Sequence, residues 1–350
     1  MIKNLLETLK KKLHIAFLSA AILFIVSCSH NPLKIDVSGI NVPPVKIQRL
    51  ERDMFTMKPD SVNSYTSGFI KKYGRFYVDF VTAFINDGGI RDSTYAAMLR
   101  RFITDKDMHG TFDSCEKVYP DMGNLESGLT DAFKHFKYYF PDKPLPRVVT
   151  DMSGYQYSII YYDSTLALSL EMYLGKNCSL YKMLNPPFPR YKTMHMTKNY
   201  LLGDAVYGWL ASIFKANEDK PDMLGTIIHE GKIMYLEDAM LPDMNDTIKL
   251  RYTASQLKWC KENEFYMWAY IIKMKLLYST DHSDIAKFTD DGPFTSVFNR
   301  DFCPSRTGSW LGLQIVRSYM KKNSNVTLQQ LIEERNADNI LQHSGYKPEK

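Results

Sequence analysis

The sequence is short of several things, and each shortage excludes a class. Five cysteines in 350 residues, none in C-x-x-C spacing, exclude a disulfide scaffold and the common zinc-ribbon and redox motifs. No apolar run reaches the roughly 20 residues of a comfortable membrane span. Charge of one sign is scarce too. The formal net charge is +5, and Lys3, Lys10, Lys11 and Lys12 against Glu7 supply a net three of it, leaving +2 for the rest. A nucleic-acid partner is therefore not indicated. No internal repeat, low-complexity tract or long interior linker is present. What is abundant is core material: 45% of residues are hydrophobic, with 23 Tyr and 19 Phe, which excludes a disordered chain and suits one large core.

The first residues read as a bacterial secretion signal. The cluster Lys10–Lys12 precedes an apolar run from Leu13 to Val26, too short to span a bilayer but of signal-peptide length. The run ends Ile25-Val26-Ser27-Cys28, which resembles a lipobox, so residues 1–27 are expected to be removed and Cys28 to carry lipid. Acyl chains contribute about 0.8 kcal/mol per buried methylene, and a multiply acylated Cys28 would hold the protein on a membrane. Residues 28–44, with Pro32, Pro43 and Pro44, read as a tether to a single globular domain over 45–350. The other cysteines, Cys115, Cys178, Cys260 and Cys303, allow three pairings if all pair, and buried free thiols are equally consistent.

Within that domain, apolar periodicity predicts helices in Phe69–Ile85, Ser93–Ile103 and Asn124–Phe140, then Tyr200–Phe214, Met223–Leu241, Thr253–Leu277, Gly308–Lys321 and Leu328–Arg335. Strand character is confined to Val45–Leu50, Arg147–Thr150 and a hairpin over Tyr155–Leu170 turning at Asp163-Ser164. Helices dominate and the strands cluster, so the expected class is α+β, predominantly helical, with one small sheet that includes the hairpin.

The segment Leu224–Tyr235 contains His229-Glu230, the first half of the H-E-x-x-H pattern in which two imidazoles one helical turn apart bind one zinc. The position of the second imidazole is Ile233, which cannot ligate. His195, His109 and His135 could supply ligands, but nothing in their spacing supports this. On a helical projection the segment is apolar on most sides, with Thr226, Glu230 and Glu237 in a narrow polar strip, as in a helix buried within its domain. A buried Glu needs a partner from another segment, because Lys232 points elsewhere. Further on, Gly308 and Gly312 lie one turn apart on a helix and suit close packing against the His-Glu helix. Arg306, at the entrance of that helix, is placed to bind an anionic group or to pair with Glu230, and Arg306 and Glu237 are the expected pocket residues.

Taken in order, the lipobox, Leu170-Glu171-Met172-Tyr173-Leu174-Gly175, His229-Glu230-Gly231-Lys232, Gly308–Met320 and Ile340–Pro348 resemble the gliding-motility lipoprotein family GldB of the Bacteroidetes. The resemblance implies an envelope lipoprotein associated with gliding and its related secretion machinery. It also implies distant similarity to predicted zinc proteases with full H-E-x-x-H, hence a zincin-like domain in which His229 and Glu230 are relics. Ser29-His30-Asn31-Pro32 lacks the acidic residues that resemble a surface-export tag in that phylum, so the domain is expected to face the periplasm from the inner leaflet of the outer membrane. The expected function is that of a non-catalytic scaffold with envelope protein partners, no cofactor and no metal, its peptide-docking cleft rimmed by the 155–170 hairpin. The alternative is a zinc-dependent metallohydrolase with other ligands around His229 and Glu230.

Overall fold

The computed structural model describes residues 31–85, 89–216, 221–298 and 301–350; the expected signal peptide and Cys28 lie outside the described residues. The chain divides into two compact units, one ending at Asp36 and one spanning Val37–Lys350. The first half of the second unit contains β1 (Gln48–Arg49), α1 (Leu50–Thr56), α2 (Val62–Tyr73), α3 (Arg75–Asp79), α4 (Tyr95–Thr104), α5 (Lys106–Val118) and α6 (Gly123–Tyr139). The sheet is completed by β2 (Arg147–Asp151), β3 (Ile159–Tyr162) and β4 (Thr165–Ser169). The remaining helices are α7 (Leu180–Met183), α8 (Arg190–Thr193), α9 (Lys198–Ile213), α10 (Met223–Met240), α11 (Asp246–Lys249) and α12 (Ala254–Lys273). They are followed by α13 (His282–Thr289), α14 (Thr307–Lys322), α15 (Leu328–Glu333) and α16 (Ala337–Ser344). Helix dominates and the strands form one small sheet, an α+β arrangement.

The sheet order is β1-β2-β4-β3, with β1, β2 and β4 parallel and β3 antiparallel on the edge. Asp163 and Ser164 turn the β3–β4 hairpin at φ 48° and 54°, the left-handed geometry that a two-residue hairpin turn requires. All five residues of β4 are buried, as a central strand demands. The hairpin is shorter than Tyr155–Leu170, because Gly154 and Tyr155 take positive φ (70° and 66°) and delay strand entry to Ile159. The expected strand Val45–Leu50 reduces to two residues before α1 begins.

The continuous aromatic segment Phe69–Ile85 is not one helix. Gly74, at φ 63°, ends α2, and after α3 the chain widens into a π-helical turn over Phe80–Phe84. This break lets Phe69, Tyr73, Phe76, Tyr77 and Phe80 all reach the core. Helix α5 was not evident from periodicity, since its buried side is only Thr111, Phe112 and Cys115; Asp105 starts it by accepting from the backbone N–H groups of Asp107 and Met108. Cys115, Cys178, Cys260 and Cys303 are all free thiols.

Two layers of glycine contact organise the C-terminal half. Helix α9 lies between the sheet and α10. A Cβ on Gly208 would meet Ile159 Cγ2 of β3 at 2.8 Å, whereas one on Gly203 would meet Glu237 Oε1 of α10 at 3.3 Å. The hairpin is therefore separated from the His-Glu helix and does not rim it, contrary to expectation. On its other side α10 crosses α14 with backbones in contact. A Cβ on Gly231 would stand 2.4 Å from the Gly312 carbonyl, and one on Gly312 would stand 1.7 Å from the Ile227 carbonyl oxygen. Gly308 completes the seam, where a Cβ would meet Phe288 at 2.9 Å and Ile227 Cγ2 at 3.2 Å. The paired glycines thus pack against the His-Glu helix.

Backbone atoms cannot retreat as a flexible side chain can, so Gly312→Ala is expected to lower unfolding free energy by about 3 kcal/mol in denaturant titration. Gly110→Ala, in α5 with nothing within 4 Å of the added Cβ, should instead raise it by about 0.5–1 kcal/mol.

Candidate functional site

Helix α10 starts where the Asp222 carboxylate accepts from the Gly225 backbone N–H at 2.7 Å, and it is buried along most of its length. His229 and Glu230 are its half-buried pair. Both border a groove of about 920 Å³ between the end of α9, the first turns of α10 and residues 332–338. Burial lowers the His229 pKa and the neighbouring Lys232 lowers it further. Lys232 is itself buried, donates to the Glu334 carbonyl and is pulled down to about 8, mainly by desolvation. These residues do not fit a zinc site. The neighbour of His229 is an ammonium group, Ile233 is 1% exposed, and among the described residues no three His, Cys, Asp or Glu side chains are grouped to hold a metal ion. His109 packs at a tilt against the rings of Phe55 and Phe112, and His135 pairs with the Asp131 backbone carbonyl.

The electrostatic partner of Glu230 comes from another segment. Burial raises its pKa, while Arg306 and the Ser309 hydroxyl on α14 offset part of the rise. Glu230 Oε2 and Ser309 Oγ nevertheless lack a hydrogen bond of ordinary geometry among the described residues. Arg306 is the cap residue of α14 in left-handed conformation, φ 57°. Tyr252 fixes that turn by donating its hydroxyl to the carbonyls of Ser305 and Arg306, at 2.8 and 3.1 Å. The guanidinium carbon lies 5.9 Å from the Tyr207 ring centroid, a cation–π arrangement.

Around Arg306 the interior holds an unusual concentration of charge. Asp204, on α9, accepts from the Tyr173 hydroxyl at 2.8 Å and faces the Arg251 guanidinium at 3.3 Å. Burial raises the Asp204 pKa, with Arg251, Tyr173 and Arg306 opposing. Glu237 is 1% exposed and pushed well above the usual carboxylate range by burial and by Asp238; its Oε2 has no hydrogen-bond partner among the described residues. Glu237, an expected pocket residue, is not part of the wall of the small cavity that Arg306 lines. That wall includes His195, Arg251 and Asp291, residues that no motif indicated. One signal for the cluster was legible: Asp204 interrupts the apolar run Leu201–Val206 on a helix.

A second acidic cluster closes the carboxyl edge of the sheet. The parallel strands β1, β2 and β4 deliver Glu51, Asp151 and Glu171 to that edge. Glu51 is bound by Arg49 at 2.7 Å and by the Thr150 hydroxyl at 2.8 Å. Glu171 Oε1 accepts from the backbone N–H groups of Ser153 and Tyr155 and from the Ser153 hydroxyl, and burial raises its pKa to about 7. Asp151 takes one bond from Ser169 and is pushed up by burial and by Glu171.

In comparison with known families, residues 30–348 match the family described as gliding motility protein GldB, whose short label, GldB_lipo, names a lipoprotein. No curated protein and no solved structure matches the chain. No helix of the described residues is long and apolar enough to cross a membrane.

Because the Glu171 pKa is raised from 4.5 to about 7 in the folded state, the native protein holds this proton more tightly than the unfolded chain. Its stabilising contribution is complete below about pH 4.5 and is lost as pH rises through about 7, up to about 3 kcal/mol for such a shift. Glu171→Gln keeps the acceptor oxygen and removes the ionisation. Denaturant titrations from pH 5 to pH 8 should therefore fall less steeply for the variant, and the variant should be the more stable protein at pH 8.

Proposed function

The chain belongs to the gliding motility protein GldB family, and from that premise we propose that it is an envelope lipoprotein acting by binding and assembly, without catalysis. The observation that carries this reading is the pair of cations beside His229 and Glu230. Lys232 neighbours His229, and Arg306 engages Glu230. A metal ligand needs a neutral imidazole next to other electron-pair donors, and an ammonium group beside it repels the dication. A general base must reach a metal-bound water, whereas the Glu230 charge is satisfied in part by a guanidinium of α14. In this reading the helix of a zincin-like scaffold has kept His229 and Glu230 as packing and charge-pairing residues. The family label and the lipobox at Cys28 support lipid anchoring, with the domain facing the periplasm from the outer membrane and meeting other envelope proteins.

The reading is tested by metal analysis of the purified full chain after incubation with zinc and removal of excess, beside His229→Ala. The expected result is far less than one zinc per chain in both. One zinc per chain in the parent, lost in the variant, would overturn it and favour the metallohydrolase reading. In the native host, Cys28→Ser should move the protein out of the membrane fraction, and retention there would remove the lipid anchor from the account.

A further inference from the structure

Arg251 and Arg306 face one small cavity, and both hold a left-handed backbone at φ 57°. Two non-glycine residues strained in this way around one cavity are what a built ligand clamp looks like, since each costs on the order of 1–3 kcal/mol that packing must offset. The cavity measures about 110 Å³, the space of three or four waters at about 30 Å³ each, so it accepts a terminal group and not a whole ligand. Its polar wall includes Arg251, Arg306, His195, Asp291 and Gln256. Gln256 spends its carbonyl on the Thr253 N–H of the helix cap. The Arg251 Nε–H is buried and donates to no described residue. Met194, 38% exposed, lines this cavity and also an open groove of about 600 Å³ lined by Leu174–Cys178, Thr197 and Asn199, so the two adjoin at that side chain.

We propose that this cavity binds the C-terminal carboxylate of an extended partner peptide whose preceding residues lie in the adjoining groove. A guanidinium fork matches a planar carboxylate through paired N–H donors. His195 is pulled down to about 4, mainly by burial and then by Arg251, so it enters as a neutral ring and adds no third charge. Asp291 in the wall and Asp204 behind Arg251 leave little spare positive charge. A phosphate dianion gains no net attraction from two guanidinia set against two carboxylates, and its larger desolvation cost is then not offset. The volume likewise admits a chain end and excludes a folded surface. This assignment rests on the binding function proposed above and specifies the chemistry of the partner.

The test is calorimetric titration of the full chain with N-acetyl-trialanine as the free acid and as the amide, with acetate and inorganic phosphate as small-anion competitors. The free acid should bind saturably and the amide about tenfold more weakly or worse. Acetate should compete better than phosphate. Arg251→Gln should weaken the acid about tenfold. Arg251→Lys, which keeps a charge opposite Asp204 but loses the fork, should weaken it too while retaining the parent Tm. Equal binding of acid and amide, no saturation of the acid up to about 10 mM, an unaffected Arg251→Lys variant, or phosphate competing better than acetate would each overturn the proposal. A zinc-loaded chain that still discriminates acid from amide would overturn the non-catalytic reading alone, which keeps the two failures distinct.

Discussion

Backbone contact between α10 and α14 at Gly231 and Gly312 sets where the buried charged groups of α10 sit. No side chain separates the helices there, so their approach is as close as main-chain atoms permit. The pairs Ile227 with Gly308 and Gly312, Gly231 with Gly312 and Leu313, and Asp238 with Arg317 advance together along both helices, so the two run in the same sense. Parallel neighbours need a long return, which α11, α12 and α13 supply. The far end of the seam is held by charge: Asp238 accepts from Arg317 at 2.6 Å and from Lys249, and Asp246 faces Arg317 at 3.3 Å. Glycine sets the distance between the helices and the ion pairs set their register.

That seam also explains why α10 can carry carboxylates inside the protein. Glu230 is drawn to the N-terminal end of α14, where Arg306 waits, and Glu237 is drawn toward α9 through the gap left by Gly203. The two carboxylates, with Asp204, share two guanidinia, and each carries a pKa raised by burial. Such groups are poor stabilisers, since well-packed aliphatic residues of similar volume are often as good or better. Their effect is on placement. Arg306 sits between Tyr207, Glu230 and the Tyr252-capped turn, and Arg251 faces Asp204, and both residues line the cavity wall.

Much of this was legible in the sequence where a single period governed a segment. The buried character of Met223–Leu241, the packing role of Gly308 and Gly312, the hairpin turn at Asp163-Ser164 and the need for a distant partner for Glu230 all follow from local pattern. What was illegible depends on distance in the fold. Gly208 and Gly203 face opposite ways on α9, one to β3 and one to α10, and that insertion removes the hairpin from the edge of the His-Glu helix. Arg251, His195 and Asp291 meet only because residues 190–195, 250–256 and 291–306 converge, and no spacing reports such a convergence. The aromatic run Phe69–Ile85 misled in another way. Nearly continuous hydrophobicity hides the helix break at Gly74, whose positive φ only the folded chain displays.

The substitution at Ile233 gains its meaning from its neighbours. A histidine missing from a metal site leaves the rest of the site intact if the surrounding charges remain those of a metal site: carboxylates orienting the imidazole and no cation nearby. Beside His229 stands a cation. Lys232, one position before Ile233, is buried against the Glu334 carbonyl, and the Arg306 charge acts on the carboxylate next to His229. Restoring an imidazole at position 233 would leave that ammonium and that guanidinium in place. The departure from H-E-x-x-H is therefore distributed over at least three side chains on two helices, and it is joined to the glycine seam that holds α10 against α14. Helix α10 serves as the central strut of this half of the domain, and Arg251 and Arg306 line a cavity of their own.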